Sequence, residues 1–369
     1  MIFERVTSSF DDVSLSPEEE IELNKNMSKV MAEIEKNTKP EFCYICGKKV
    51  TSFCNSHTIP RYCLDSIGEN GLLVGPNAIY RLPTMGLSSR KPHQGINEAG
   101  RFKLICNDCD NTCFQDYENP DNYILGKKPT RNMLAQIAMK NYLKYIQKKR
   151  REIMLETNIL SYQAQNNEQR KKQRDAISKL PILLMDLDAY HSDFKKAKEY
   201  VLTQKGKGYR LLYYTLLDYV TPLSVQAPIL MSIDLEGGIV NDVFSRNANL
   251  KLSDIHVCIL PQKEKTAVIL FVEEGCTVYR KFKRQLLSLP EASRLGLINY
   301  LVFLYTDDYY IAKGLEKKID LRQFLDVADT LPIIRATFQI ADTKVLREKY
   351  ILSRWSRIPN LLDSEYKVR

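Results

Sequence analysis

Apolar positions recur at helical spacing in two long stretches and alternate or run together in several short ones. "SPEEEIELNKNMSKVMAEIEKN" opens with Ser16 as a cap, Pro17 at the first helical position and Glu19 completing a capping box. Ile21, Leu23, Met27, Val30, Met31 and Ile34 then form a rough stripe, so the pattern predicts an acidic amphipathic helix ending near Asn37. A second helix is expected from about Thr130 to Glu156, with Met133, Leu134, Ile137, Ala138, Leu143, Ile146 and Ile153 on its apolar face and "KKRRE" on a basic one. "SYQAQNNEQRKKQRD" is nearly free of apolar residues and reads as an exposed, partly helical connector and the main domain boundary.

Beyond the connector the pattern switches between periods. "MDLDAYHSDFKKAKEYVLTQ" is helical, while "YRLLYYTLL" and "APILMSIDL" read as strands. "DIHVCILP" and "TAVILFVEE" flank "QKEK" as a hairpin, and "EASRLGLINYLVFLYTDDYY" is a helix buried in its apolar half. The carboxylate pair in "TDDYY" is read as a helix end. Residues 41–125 differ: glycines and prolines cluster between Gly68 and Gly100 and leave little apolar core. The expected organisation is an acidic helix at 1–40, a loop-rich module at 41–125, a basic helix and connector at 126–180, and an α+β domain at 181–369.

The chain of 369 residues carries a formal net charge of +9. Residues 1–40 hold 5 basic and 9 acidic groups, whereas 41–180 hold 22 and 13, so the surplus lies in the loop-rich and basic-helix sections. Such a surplus fits a polyanion, with Arg61, Lys91, Arg101, Lys148 and Lys149 as the residues expected to grip phosphate. An ordinary solvated basic face is the other reading. Acidic residues at Glu4, Asp11 and Asp12 do not suit an export signal, and no apolar run approaches the ~18 residues of a membrane span. A cytoplasmic, membrane-free protein is expected, with reduced thiols. The N-terminal helix and the C-terminal domain are surfaces on which a protein partner or a second copy could dock.

Nine cysteines include "CYICG" (Cys43, Cys46) and "CNDCD" (Cys106, Cys109). Two thiolates on a tight turn can face one ion, and two such turns complete a tetrahedral zinc site. Cys54, Cys63 and Cys113 lie close enough in sequence to replace one ligand, and Cys258 and Cys276 sit in apolar, strand-like surroundings. The alternative is a set of buried, unligated thiols. Structural zinc would supply what a region without its own core lacks.

"CYICG…NSHTIPRY…FKLICNDCDN" resembles the HNH nuclease family in its zinc-knuckle form, a treble-clef or ββα-metal fold, over residues 41–120. The resemblance implies an endonuclease that hydrolyses phosphodiesters of DNA, less readily RNA, with His57 activating water as general base. It also implies a divalent ion, Mg2+ or Mn2+, on a helix-borne ligand at the place of Asp110, with Asn111 as a further candidate. Ser56 stands where the family has an ion-binding acid or histidine, and Asn97 is the nearest asparagine to its central position. A histidine beside a knuckle can instead be a structural hydrogen-bonder or replace a cysteine. A non-catalytic zinc module that binds nucleic acid and a protein-interaction scaffold are the alternative functions. His93, His191 with its aspartates, and His256 are read as a loop residue, an exposed helix cap and a structural strand residue.

Overall fold

The computed structural model describes residues 17–76, 93–161, 163–243, 250–324, 327 and 350–369. Ser16 and the phosphate-binding candidate Lys91 lie outside them. Among the described residues the chain is a mixed helix-and-sheet α+β protein whose centre is one antiparallel sheet of seven strands. Its strands are β2 (Leu72–Val74), β3 (His93–Gly95), β5 (Tyr209–Leu217), β6 (Leu223–Ile229), β7 (Ile255–Pro261), β8 (Thr266–Glu273) and β9 (Tyr309–Ala312), in the spatial order β3-β2-β9-β6-β7-β8-β5. A separate two-residue ribbon pairs β1 (Ser56–His57) with β4 (Arg101–Phe102).

Side chains alternate across the sheet and feed two cores. Val268, Leu270 and Val272 of β8 face one layer, with α7 (Arg280–Ser288) and α8 (Glu291–Tyr305); Ala267, Ile269 and Phe271 face the other. Both faces are covered, which explains why "TAVILFVE" reads as a continuous apolar run rather than an alternating one. The second layer is a helical hairpin of α5 (Arg131–Ser161) and α6 (Asn167–Thr203), together with the cysteine-bearing segment. From Met133 to Leu143 every side chain of α5 is buried, because the sheet, α6 and the module surround that part of the helix.

The expected β7–β8 hairpin and the buried helix α8 form, and the N-terminal helix is α1 (Pro17–Asn37), anchored by fully buried Ile34. The polar connector is the tip of the α5–α6 hairpin and the start of α6, where Asn166 caps by accepting from the Gln169 amide at 2.8 Å. Pro181 lies inside α6 without ending it. Strand β6 begins earlier than expected, at Leu223, because Ser224 and Gln226 are buried polar residues that mask the strand pattern. "TDDYY" is not a helix end alone: Tyr309 and Tyr310 open β9, which pairs with β6 and with β2. Through β2 and β3 the loop-rich segment adds two strands to the sheet of the C-terminal part.

Candidate functional site

Gly47 adopts φ +69° and lets the chain turn back after Cys43, with the Gly47 amide donating to the Cys43 carbonyl at 2.8 Å and the Cys43 amide to the Lys48 carbonyl at 2.9 Å. The second pair sits where α3 (Asn107–Cys113) begins: Cys106 precedes the helix and Cys109 falls in its first turn. The Cys106 amide donates to the Cys43 sulfur at 3.3 Å, which joins the two turns. All four sulfurs of Cys43, Cys46, Cys106 and Cys109 lie within 4.8 Å of one another, and Cys46 and Cys106 are 3.9 Å apart. A tetrahedral zinc thiolate with Zn–S bonds of about 2.3 Å needs sulfurs roughly 3.8 Å apart, so the group fits. The cluster could hold a metal ion such as zinc. Among the described residues it is the only such group of histidine, cysteine or carboxylate ligands. Burial and the hydrogen bonds of three neighbouring sulfurs push the Cys109 thiol far up, so an ion must displace protons to enter.

Next to the cluster, β1 and β4 pair Ser56 with Phe102 and His57 with Arg101. Gly100 at φ +62° makes the turn, its carbonyl accepting from Thr58 through both the amide at 3.0 Å and the hydroxyl at 2.8 Å. The His57 ring is half-buried, with Nε2 3.1 Å from the Ile96 carbonyl oxygen. A carbonyl only accepts, so Nε2 carries the proton and Nδ1 holds the lone pair. Burial lowers the His57 pKa; the bond to Ile96 opposes this, and the charges of Lys140 and Arg61 reinforce it. The ring is a free base at neutral pH.

Asp110 follows Cys109 directly and turns toward Ser56 rather than toward solvent. Its Oδ1 accepts from the Ser56 hydroxyl at 2.6 Å and lies 3.4 Å from Lys140 Nζ, while Oδ2 accepts from the Cys54 thiol at 3.2 Å. Burial alone would raise the Asp110 carboxyl, but the Lys140 charge and the bonds from Ser56 and Cys54 outweigh it and hold the group below its ordinary range. Burial and the Asp110 carboxylate push the Cys54 thiol up to about 12. Lys140 is only 2% exposed, ion-paired also to Glu118 and set 4.5 Å over the Phe114 ring.

The second ion implied by the HNH resemblance does not fit these residues. Ser56 offers a neutral hydroxyl whose proton is already donated, both Asp110 oxygens are engaged by Ser56, Cys54 and Lys140, and Asn111 is exposed on a different face of α3. Sequence reasoning took Cys54 only for a substitute zinc ligand and missed Lys140, another partner of Asp110. A lysine in the apolar run "AQIAMKNYL" is the signal that could have found it, since a lysine is almost never buried without a partner.

The expected phosphate-gripping residues divide. Arg61, at the start of α2 (Arg61–Ile67), keeps 63% of its side chain exposed, with one loose pair to Asp65 at 3.7 Å. Arg101 is half-buried. Lys148 and Lys149 do not face solvent: Lys148 Nζ lies 2.7 Å from Asp307 and 3.0 Å from Asp308, and Lys149 pairs with Glu152 at 2.9 Å and Asp186 at 3.0 Å. Arg150 donates to the Tyr44 hydroxyl and Arg151 to Glu35 of α1, both at 2.8 Å. The basic run of α5 is an internal fastener, because the helix passes between acidic partners on three neighbouring elements. His191 lies within α6, not at a cap, and stacks on Tyr44 with centroids 5.7 Å apart. His93 meets Glu316 at 2.8 Å, and His256 is buried in the sheet. No helix among the described residues is long and apolar enough to cross a membrane. No protein-family model, curated protein or solved structure matches this chain.

Proposed function

We propose that this chain is a zinc-stabilised, HNH-like endonuclease acting on nucleic acid, DNA by the resemblance, with a treble-clef arrangement of knuckle, β1–β4 ribbon and α3. The observation that carries the reading is the His57 tautomer. With Nε2 donating to Ile96, Nδ1 is left as an unprotonated base at the end of a ribbon held by the metal knuckle. Arg61, four residues on and exposed, supplies a fixed positive charge that His57 senses, suited to a phosphodiester oxygen. In this scheme Nδ1 takes a proton from the attacking water, the guanidinium offsets charge developing on the phosphate, and the P–O bond breaks with the leaving oxygen taking a proton from solvent. No step is assigned to Mg2+ or Mn2+, since Asp110 is engaged by Lys140.

The test is nicking of supercoiled plasmid by zinc-loaded wild type and by His57→Ala, with and without added Mg2+. Loss of nicking in the variant at unchanged zinc content is the expected outcome; equal nicking by both, or none by the wild type, removes the enzyme. A second reading, a zinc module that binds nucleic acid without cutting it, is favoured by the engagement of both Asp110 oxygens by Ser56, Cys54 and Lys140, which leaves an ion no free carboxylate. Salt-sensitive binding without cleavage selects that reading.

A further inference from the structure

The HNH resemblance puts a divalent ion between the residue before the histidine and the residue after the second cysteine pair. In this chain those positions are Ser56 and Asp110, and they touch each other at 2.6 Å. The positive charge beside them comes from the middle of α5. Lys140 reaches Asp110 at 3.4 Å, pairs with Glu118, and lies 4.5 Å over the Phe114 ring. Its surroundings are built, not incidental. One turn earlier on the same helix Gln136 accepts from the Tyr117 amide at 3.0 Å and donates to Asp116 at 3.2 Å, clamping α4 (Gln115–Glu118) against α5. The Tyr117 hydroxyl in turn donates to the Thr58 carbonyl at 3.1 Å, which ties that clamp to the strand carrying His57.

We infer that the Lys140 ammonium is the resident cation of this site, standing where the resemblance expects a divalent ion, and that the chain takes up no second metal at Asp110. Both Asp110 oxygens already accept from protein donors, Ser56 on one and Cys54 on the other, and the Lys140 ammonium lies 3.4 Å from the first. A dication would have to displace a buried ammonium and be repelled by it at close range. Lys140 itself is too buried to touch a substrate, so it is a positioning residue: it fixes the Asp110 carboxylate, and through Ser56 the strand that presents His57. The inference rests on the HNH-like reading for where an ion would be expected, and not on the chain having nuclease activity.

Electron paramagnetic resonance of Mn2+ titrated into the zinc-loaded full chain tests it, because the signal counts bound ions whether or not the protein cuts nucleic acid. Wild type is expected to bind one zinc per chain and no Mn2+ tighter than about 1 mM. Lys140→Met, which keeps the stem and removes the charge, is expected to bind Mn2+ at least tenfold more tightly, and Lys140→Met with Asp110→Asn to lose that gain. Wild-type Mn2+ binding that disappears in Asp110→Asn overturns the inference, as does a folded Lys140→Met with no gain. Should Lys140→Met lose zinc or its cooperative melt, Lys140→Arg takes its place. It keeps the charge, so it must remain as closed to Mn2+ as the wild type, and uptake dependent on Asp110 overturns the inference. A chain that nicks nothing yet follows this pattern defeats the enzyme reading and leaves the Lys140 assignment standing.

Discussion

Single side chains here owe their character to what surrounds them, and the two best-defined histidines differ for that reason. His256 is fully buried; Asn141 Nδ2 donates to its Nδ1 at 3.1 Å, and its Nε2 therefore carries the proton toward the Tyr142 hydroxyl at 3.3 Å. Burial lowers its pKa to about 3, and no charged group contributes to that shift. A folded pKa below the unfolded value of about 6.5 means that the unfolded chain binds more protons in between. This residue's contribution to stability is complete above pH 6.5 and is lost as pH falls toward 3. His256→Phe should flatten the fall of stability between pH 6 and 4 by ~1 kcal/mol per pH unit, measured by urea unfolding. An unaltered slope would mean that the ring titrates normally. His57 is also lowered, but by burial with Lys140 and Arg61 beside it. The acid limb of any His57-dependent nicking rate should therefore lie below pH 6.5, and Arg61→Ala should move that limb upward.

Elements in the module are too short to stand alone. The β1–β4 ribbon has two residues per strand and α3 has seven, well under the length at which a helix or hairpin persists in water. A metal at the four sulfurs would supply the missing constraint, on the order of 10 kcal/mol in small zinc-held peptides. Chelation, or Cys109→Ser, should abolish amide protection over residues 43–58 and 100–113 while β7 and β8 stay protected, read by hydrogen exchange. Protection that survives full zinc removal would show that Phe102, Leu104, Ile105 and Phe114, packed into the second core, hold the module without metal. Helix α5 reverses the usual logic of a basic stretch. Lys148 answers two carboxylates that precede β9, so Lys148→Met leaves Asp307 and Asp308 largely buried without their paired ammonium, at a cost of about 3 kcal/mol in unfolding free energy. The variant's affinity for nucleic acid should not change.

At the scale of the whole chain, what could be read from the sequence was local and periodic. The N-terminal helix, the β7–β8 hairpin, the apolar half of α8 and the two cysteine turns each carry their signal within about twenty residues. Pairings across long separations carried none: β2 joins β9 more than two hundred residues away, so an apparently separate module shares the C-terminal sheet. Side-chain partners were equally illegible, since nothing near Lys149 in sequence announces Asp186 and nothing near Asp110 announces Lys140. The net charge of +9 is misleading for the same reason. Much of the surplus in 41–180 belongs to a helix whose lysines and arginines are largely paired inside the fold, so a polyanion would meet Arg61, the knuckle residues Lys48 and Lys49, and the other exposed cations of this stretch, Lys103, Lys127 and Lys128 among them. Affinity for a DNA duplex should then fall with salt in proportion to how many of these exposed cations reach phosphate, without a share from Lys148 or Lys149. Arg61→Ala should lower the slope of log K against log salt by about 1, whereas Lys149→Gln should leave the slope alone and lower the melting temperature. The reverse result, a slope that depends on Lys149 and ignores Arg61, would place the polyanion on α5 and require that helix to be exposed.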